Sequence, residues 1–476
     1  MDSTEKELKT TRIVDFRTGM SSQPLPEEFT NLQDVQPRKD GQITSRPKIS
    51  TYATLTGGKV TSLYKYLDDH GSPQFIAAVG STAWNIIDPL RPVSIGAIPS
   101  NRHWTYLPCG NYILMACGDG NIKKCNGATI TDVPDTPNVA FIQGIDEIVY
   151  GGGMGSPSGT DFLYWNTLRY ANTDDELTWP GINYVNMEKS SSFLSGLNSL
   201  TSNLVIFTLR DIWFMMQSGV PNTAYLQRAY TIGCQFPYSI SVWRDNIFFL
   251  ASDGLVYVLS GSGLNLLSDS VKELMCTTGT AFTTVTNPYD NITASEVHGV
   301  AVEDWYLLFF NDILWAFNTK NKPGTATNLA YTTTSVFKWK LPESICCIMR
   351  DTSENTTGNL YRVFFGGTSG KVYVLYPEQL ETSLTGIIET GPIYGDGCEW
   401  EKSVEKVTII GSGTHGEVDF VSPTRGVIKL SDGGTMPNRI DLPPGCVDTE
   451  FTIRVAFAES FTLREINTVH VNMREV

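Results

Sequence analysis

Gly411-Ser-Gly-Thr-His-Gly416 has the G-x-G-x-x-G spacing that lets a backbone approach a pyrophosphate, and it follows the apolar run 407–410. Dinucleotide binding also needs a helix directly after the glycines, because its N-terminal amides hold the phosphates. Glu417-Val-Asp-Phe-Val421 alternates in polarity instead, so a glycine hairpin between two strands is expected there. Asp174-Asp175-Glu176 and Asp68-Asp69-His70 concentrate carboxylates. Glycoside hydrolysis requires two opposed carboxylates across a cleft. In a chain with 50 acidic residues no pair stands out by spacing. Asp68-Asp69-His70 runs into Gly71-Ser-Pro73 and reads as a solvated loop.

Five histidines occur, His70, His103, His298, His415 and His470, and no two have the close spacing of a helical metal motif. Only a site assembled from distant loops would escape that reasoning. The nine cysteines lack CxxC spacing; Cys109, Cys117 and Cys125 are eight apart, and Cys346 and Cys347 are adjacent. Buried, reduced thiols made in a reducing cytoplasm are the expectation. Asn291 and Asn355 begin N-x-T triplets, which are not read as glycosylation sites because no secretory signal precedes them. No Gly-x-Ser-x-Gly sits between a strand and a helix. Accordingly no catalytic, cofactor-binding or metal-binding residue is assigned, no cofactor is expected, and the chain is not read as an enzyme.

The elements that would position any site are strands. The clearest unit runs over 239–259: an apolar strand, a polar turn at 244–246, a second strand, Asp253-Gly254, and a third strand with a late aromatic, Tyr257. Asp-Gly is the dipeptide of two-residue hairpins with positive φ. Related units cover 196–214, 299–317 and 345–375, with fainter ones at 75–87, 112–125 and 148–170. Their last-strand marks fall at Trp84, Ile122, Arg169, Trp213, Tyr257, Trp315 and Tyr373. Spacings of roughly 40 to 60 residues suit four-stranded blades with variable loops. The aromatic marks read as core packing, one per blade, rather than as a stacking surface for sugars or bases.

The expected fold is therefore all-β: a β-propeller of about seven blades, with six or eight also satisfying the spacing. Residues 51–376 form the propeller. Residues 377–476 form a C-terminal β-sandwich-like module with strands near 404–410, 417–421, 451–457 and 466–473. Residues 1–50, which carry Pro24, Pro26, Pro37 and Pro47, form an extended N-terminal arm. A short helix is expected at 269–274. No stretch is apolar over the roughly 20 residues that cross a bilayer, so membrane insertion is not expected. The net charge of −15 and the lack of a basic run argue against a grip on nucleic acid phosphates.

Several segments resemble propeller proteins of tailed bacteriophages and prophages. Phe16-Arg-Thr-Gly-Met20, Pro24, Leu25 and Lys39-Asp-Gly-Gln-Ile-Thr-Ser-Arg-Pro47 are similar to an opening in which Gly-Gly-Leu precedes Gly-x-Leu-x-x-Arg-Pro-Gly. Met20 stands where Leu is usual, and Lys48 where Gly is usual. Residues 168–179, 232–241 and 251–269 are similar to later segments of that group. The ending from Phe461-Thr-Leu-Arg464 to Val476 is similar to the ends of tail hub, nozzle or packaged-DNA stabilisation proteins of short-tailed phages. The resemblance implies a structural virion protein of the tail, made in the host cytoplasm. It would form a homo-oligomeric ring, expected as a hexamer, contacting portal or adaptor and tail or fibre proteins. DNA would pass its channel without sequence-specific binding. Two other readings stay open: a propeller adhesin or lectin for a cell-surface glycan, and a sialidase-like glycosidase. For the latter, 174–179 resembles an aspartate box without its glycine.

Overall fold

Runs such as Phe75-Ile-Ala-Ala-Val79 and Ile247-Phe-Phe-Leu250 are apolar at every position and buried at every position. A strand with one wet face would alternate, so continuous burial means that both faces of its sheet are covered. Radial stacking of small sheets does this, and the structure is an all-β propeller. The computed structural model describes residues 8–13, 29–38, 42–68, 70–154, 166–173, 175–187, 192–216, 225–268, 297–310, 312–319, 335–351, 361–382, 385–393, 400–443, 446–448, 450–457 and 461–475.

Six sheets have four antiparallel strands each. Five of these are up-and-down meanders in sequence order, spanning 60–97, 105–132, 139–186, 194–230 and 241–268. The sixth joins Ile345–Arg350, Val363–Gly367 and Lys371–Leu380 to Pro47–Thr54, so a strand from near the N-terminus completes a sheet made late in the chain. That pairing closes the circle without covalent linkage. A nine-stranded sheet opens with one more such meander, His298–Val302, Trp305–Phe310, Ile313–Asn318 and Ser335–Lys340. It continues through Phe29–Gln33, Gly386–Thr390, Thr452–Phe457, Val418–Ser422 and Gly426–Ser431. A further seven-stranded sheet is centred on the long strands Trp400–Ser412 and Thr462–Glu475, which run antiparallel. Leu8–Ile13 and Ile43–Ser45 pair with Thr462–Glu475 along its other side.

The sequence marks land in the third strands, not the last. Trp84, Arg169, Trp213, Tyr257, Trp315 and Tyr373 all lie within third strands, and Ile122 directly precedes Lys123–Cys125. Two of the fourth strands, Ile130–Asp132 and Tyr184–Asn186, are short and wet, with three residues each, mostly exposed, and so leave no pattern in the sequence. Asp253-Gly254 therefore links the second and third strands of its sheet. Only Gly254 has a positive φ, +80°. Its N–H donates to Ala251 O at 3.0 Å, and Asp253 Oδ1 accepts from Leu255 N–H at 2.9 Å, a longer turn than the two-residue hairpin expected.

Residues 1–50 differ from a free arm. The described part enters sheets with C-terminal strands, and Pro37 and Pro47 sit at strand ends, where no ladder N–H is missed. At the crossing from these strands to the propeller, Arg46 and Asp34 form a buried ion pair at 2.9 Å. Arg46 Nη1 also donates to Pro47 O at 2.8 Å, Lys340 N–H donates to Asp34 Oδ1 at 2.9 Å, and Trp339 Nε1 donates to Val35 O at 2.8 Å. The C-terminal strands near 404–410, 417–421, 451–457 and 466–473 are present as Trp400–Ser412, Val418–Ser422, Thr452–Phe457 and Thr462–Glu475. They do not pack as a separate C-terminal unit, because N-terminal strands complete their sheets. Among the described residues there is no α-helix, and the expected helix at 269–274 lies outside them.

Candidate functional site

First strands line the propeller axis, where two adjoining cavities of about 300 and 390 Å³ lie. Gln143, Asn198, Ile240, Ser241 and Val300 border both. At the end where the first strands begin, His103, Tyr238 and His298 form an aromatic cluster. The His103 and His298 rings are 4.7 Å apart, Tyr238 stacks on His298 at 5.0 Å, and His298 stacks on Phe309 at 5.1 Å. Tyr238 reaches this position on the helical turn Pro237–Ser239. Sequence spacing could not find this grouping, since its members are contributed by three distant segments.

Towards the other end the lining becomes polar and charged. Lys65 Nζ pairs with Asp351 at 2.5 Å, both buried. Arg350 Nη1 donates to Val242 O at 2.9 Å and Ala301 O at 2.6 Å, tying its own first strand to those of two other sheets. Its guanidinium lies over the Trp243 ring, 4.6 Å from the centroid. Burial pulls the Arg350 pKa below its ordinary value, opposed by the charge of Tyr361. Burial likewise pushes Tyr64 up to about 12. Lys65, Gln143, Asn198, Arg350 and Asp351 carry no local motif, only their strand positions.

A groove of about 700 Å³ at the perimeter runs beside Cys109, Glu147 and Glu176. Tyr112 donates a short hydrogen bond to Glu176 there, and Lys124 lies 3.8 Å from the Tyr112 ring centroid.

The motifs singled out in the sequence have structural roles. Thr414–His415 follows Trp400–Ser412 and pairs with Gly434–Thr435, and Val418–Ser422 belongs to the other large sheet. The glycine segment is thus a crossing between sheets, neither a helix N-terminus nor the expected hairpin. A Cβ on Gly411 would come within 2.2 Å of Thr462 O, so close strand packing explains that glycine. Asp175 caps a turn, accepting from Thr178 Oγ1 at 2.6 Å and Leu177 N–H at 3.0 Å, which hold its carboxyl below the usual range. Asp68 does the same for Ser72 and His70. His70 is exposed, while His415 and His470 are buried in the sheets formed by the chain ends. Asp69, Asp174, Asn291 and Asn355 lie outside the described residues. Five of the described cysteines are buried and two half-buried. Among the described residues no three His, Cys, Asp or Glu side chains gather to hold a metal, and no helix is long and apolar enough to cross a membrane.

Fold and axis together define a β-propeller protein. No family model and no curated protein matches the chain. Solved structures similar to it include streptogramin B lyase at 10% identity, covering 69% of this chain and 97% of that one with a TM-score of 0.45. The Neurospora crassa Pan2 WD40 domain is 7% identical, covers 70% and 96%, and has a TM-score of 0.44. BamB from Moraxella catarrhalis is 12% identical, covers 78% and 100%, and has a TM-score of 0.37.

Proposed function

We propose that this chain is a structural, non-enzymatic subunit of a phage tail hub or nozzle, a ring-forming protein of the virion tail. The observation that carries the reading is the joining of Phe29–Gln33 and the C-terminal strands Gly386–Thr390 and Thr452–Phe457 into a sheet continuous with a propeller meander, where Gln33 pairs with Lys338. This gives the disc a lateral body that does not depend on a flexible linker, which suits a subunit that must hold two neighbours at fixed angles. The ordered resemblance of residues 12–275 and of the C-terminal ending supplies the phage assignment. The propeller is seven-bladed in this reading. Ser62, Thr105, Ile142, Leu197, Ser241, Gly299 and Ile348, from seven different first strands, border one axial cavity in support of that count. Residues 377–476, with the N-terminal strands, act as the assembly module. Partners are further copies of the chain, portal or adaptor proteins, and tail or fibre proteins, with DNA passing through the ring.

Sedimentation and negative-stain imaging of the full chain, alone and with neighbouring tail proteins, test this. A closed ring is expected, with six subunits around a channel wide enough for duplex DNA. A chain that stays monomeric under both conditions and binds a glycan would replace the reading with the adhesin one.

A further inference from the structure

The Arg350 guanidinium uses one nitrogen for both of its hydrogen bonds, Nη1 to Val242 O and Ala301 O. Nε is buried without a hydrogen-bond partner, and Nη2 has none among the described residues. Nη2 thus keeps its N–H donors available for an oxygen of a carboxylate or phosphate. Arg350 borders the axial cavity of about 390 Å³. Lys65 borders it too, but Asp351 neutralises that ammonium at 2.5 Å. Among the described residues here, Lys65 and Arg350 set two cations against the one anion Asp351, in a chain whose net charge is −15. Asn198 also lines the cavity. Its Oδ1 accepts from Ser199 N–H at 2.8 Å, and its Nδ2 makes no hydrogen bond among the described residues. Arg350 as a whole is half-buried, and a charged donor at the edge of a cavity gains from an acceptor that reaches it.

We propose that this part of the propeller axis binds a small oxyanion, a carboxylate or a phosphate. The anion lies against Nη2 of Arg350, with Asn198 Nδ2 as a further donor. Such a ligand links the inner strands that Arg350 already ties together, so its binding stabilises the closed propeller. This goes beyond the structural reading above and does not depend on it.

Thermal unfolding of the full chain, titrated with inorganic phosphate or with citrate against sodium chloride at matched ionic strength, tests the site. Phosphate and citrate arms distinguish a tetrahedral from a carboxylate anion. A saturable rise in melting temperature with at least one of them, absent with chloride, is expected. Arg350→Lys keeps the charge but loses Nη2, and should weaken the apparent affinity about tenfold or more. Asn198→Leu leaves the Arg350 contacts intact, and should weaken it several-fold even if Arg350→Lys folds poorly. The proposal fails if chloride stabilises as much as phosphate and citrate, or if Asn198→Leu responds like the unaltered chain.

Discussion

Arg46 and Asp34 show how much one side chain can hold. The pair lies where the N-terminal strands meet the propeller, and Asp34 has a left-handed backbone, φ 56°, that places its carboxylate towards Arg46 and Lys340 N–H. Arg46→Met would leave that carboxylate buried without its ion partner, a loss of about 3–5 kcal/mol. A shift in the denaturation midpoint worth under about 1 kcal/mol would refute that role. Glu465 is a wetter case. Arg12 donates to both of its oxygens, at 2.6 and 2.9 Å, and chiefly this hydrogen bonding holds Glu465 below the usual carboxylate range. A depressed folded pKa means stability present above the unfolded value, about 4.3, and lost as pH falls through the folded one. Hydrogen exchange across Leu8–Ile13 should thus be faster in Glu465→Gln than in the unaltered chain at pH 7. The difference should vanish once the carboxyl protonates in acid.

At the scale of elements, strand pairing replaces linear order. Pro47–Thr54 supplies the outer strand beside Lys371–Leu380, so it belongs to the propeller although it lies near the start of the chain. Removing residues 1–54 should therefore lower propeller stability, not only assembly, because Lys371–Leu380 loses its ladder partner. Removing residues 1–13 should spare the propeller, since Leu8–Ile13 pairs only with Thr462–Glu475. Melting curves of the two truncations, compared at equal concentration, give the outcome; equal curves would contradict the closure. Turns matter on the same scale. Gly254, at φ +80°, sits where a β-branched residue is strained, so Gly254→Val should cost on the order of 1 kcal/mol or more. Unchanged melting would count against that turn.

For the whole molecule, charge and shape act together. A net charge of −15 on every copy makes identical subunits repel at long range. Added salt shortens that repulsion to about 8 Å at 0.15 M. The proposed ring should consequently form more completely at 0.3 M than at 0.05 M salt, as read by sedimentation. Complementary charged patches between neighbours would give the opposite trend.

Much of the propeller was legible because buried strands announce themselves: Phe75-Ile-Ala-Ala-Val79 and Leu314-Trp-Ala-Phe317 are apolar throughout, with turn residues at their ends. The repeat, the all-β class and the long C-terminal strands followed from that alone. Outer strands such as Ile130–Asp132 left no signal, because an exposed three-residue strand has no periodicity to detect. Tertiary structure decided the pairing of Pro47–Thr54 with Lys371–Leu380, the merging of the chain ends, and the meeting of His103 with His298. It also decided the surroundings of Arg350. These are contacts between residues far apart in sequence, and a linear pattern records what each strand buries but not which strand lies beside it.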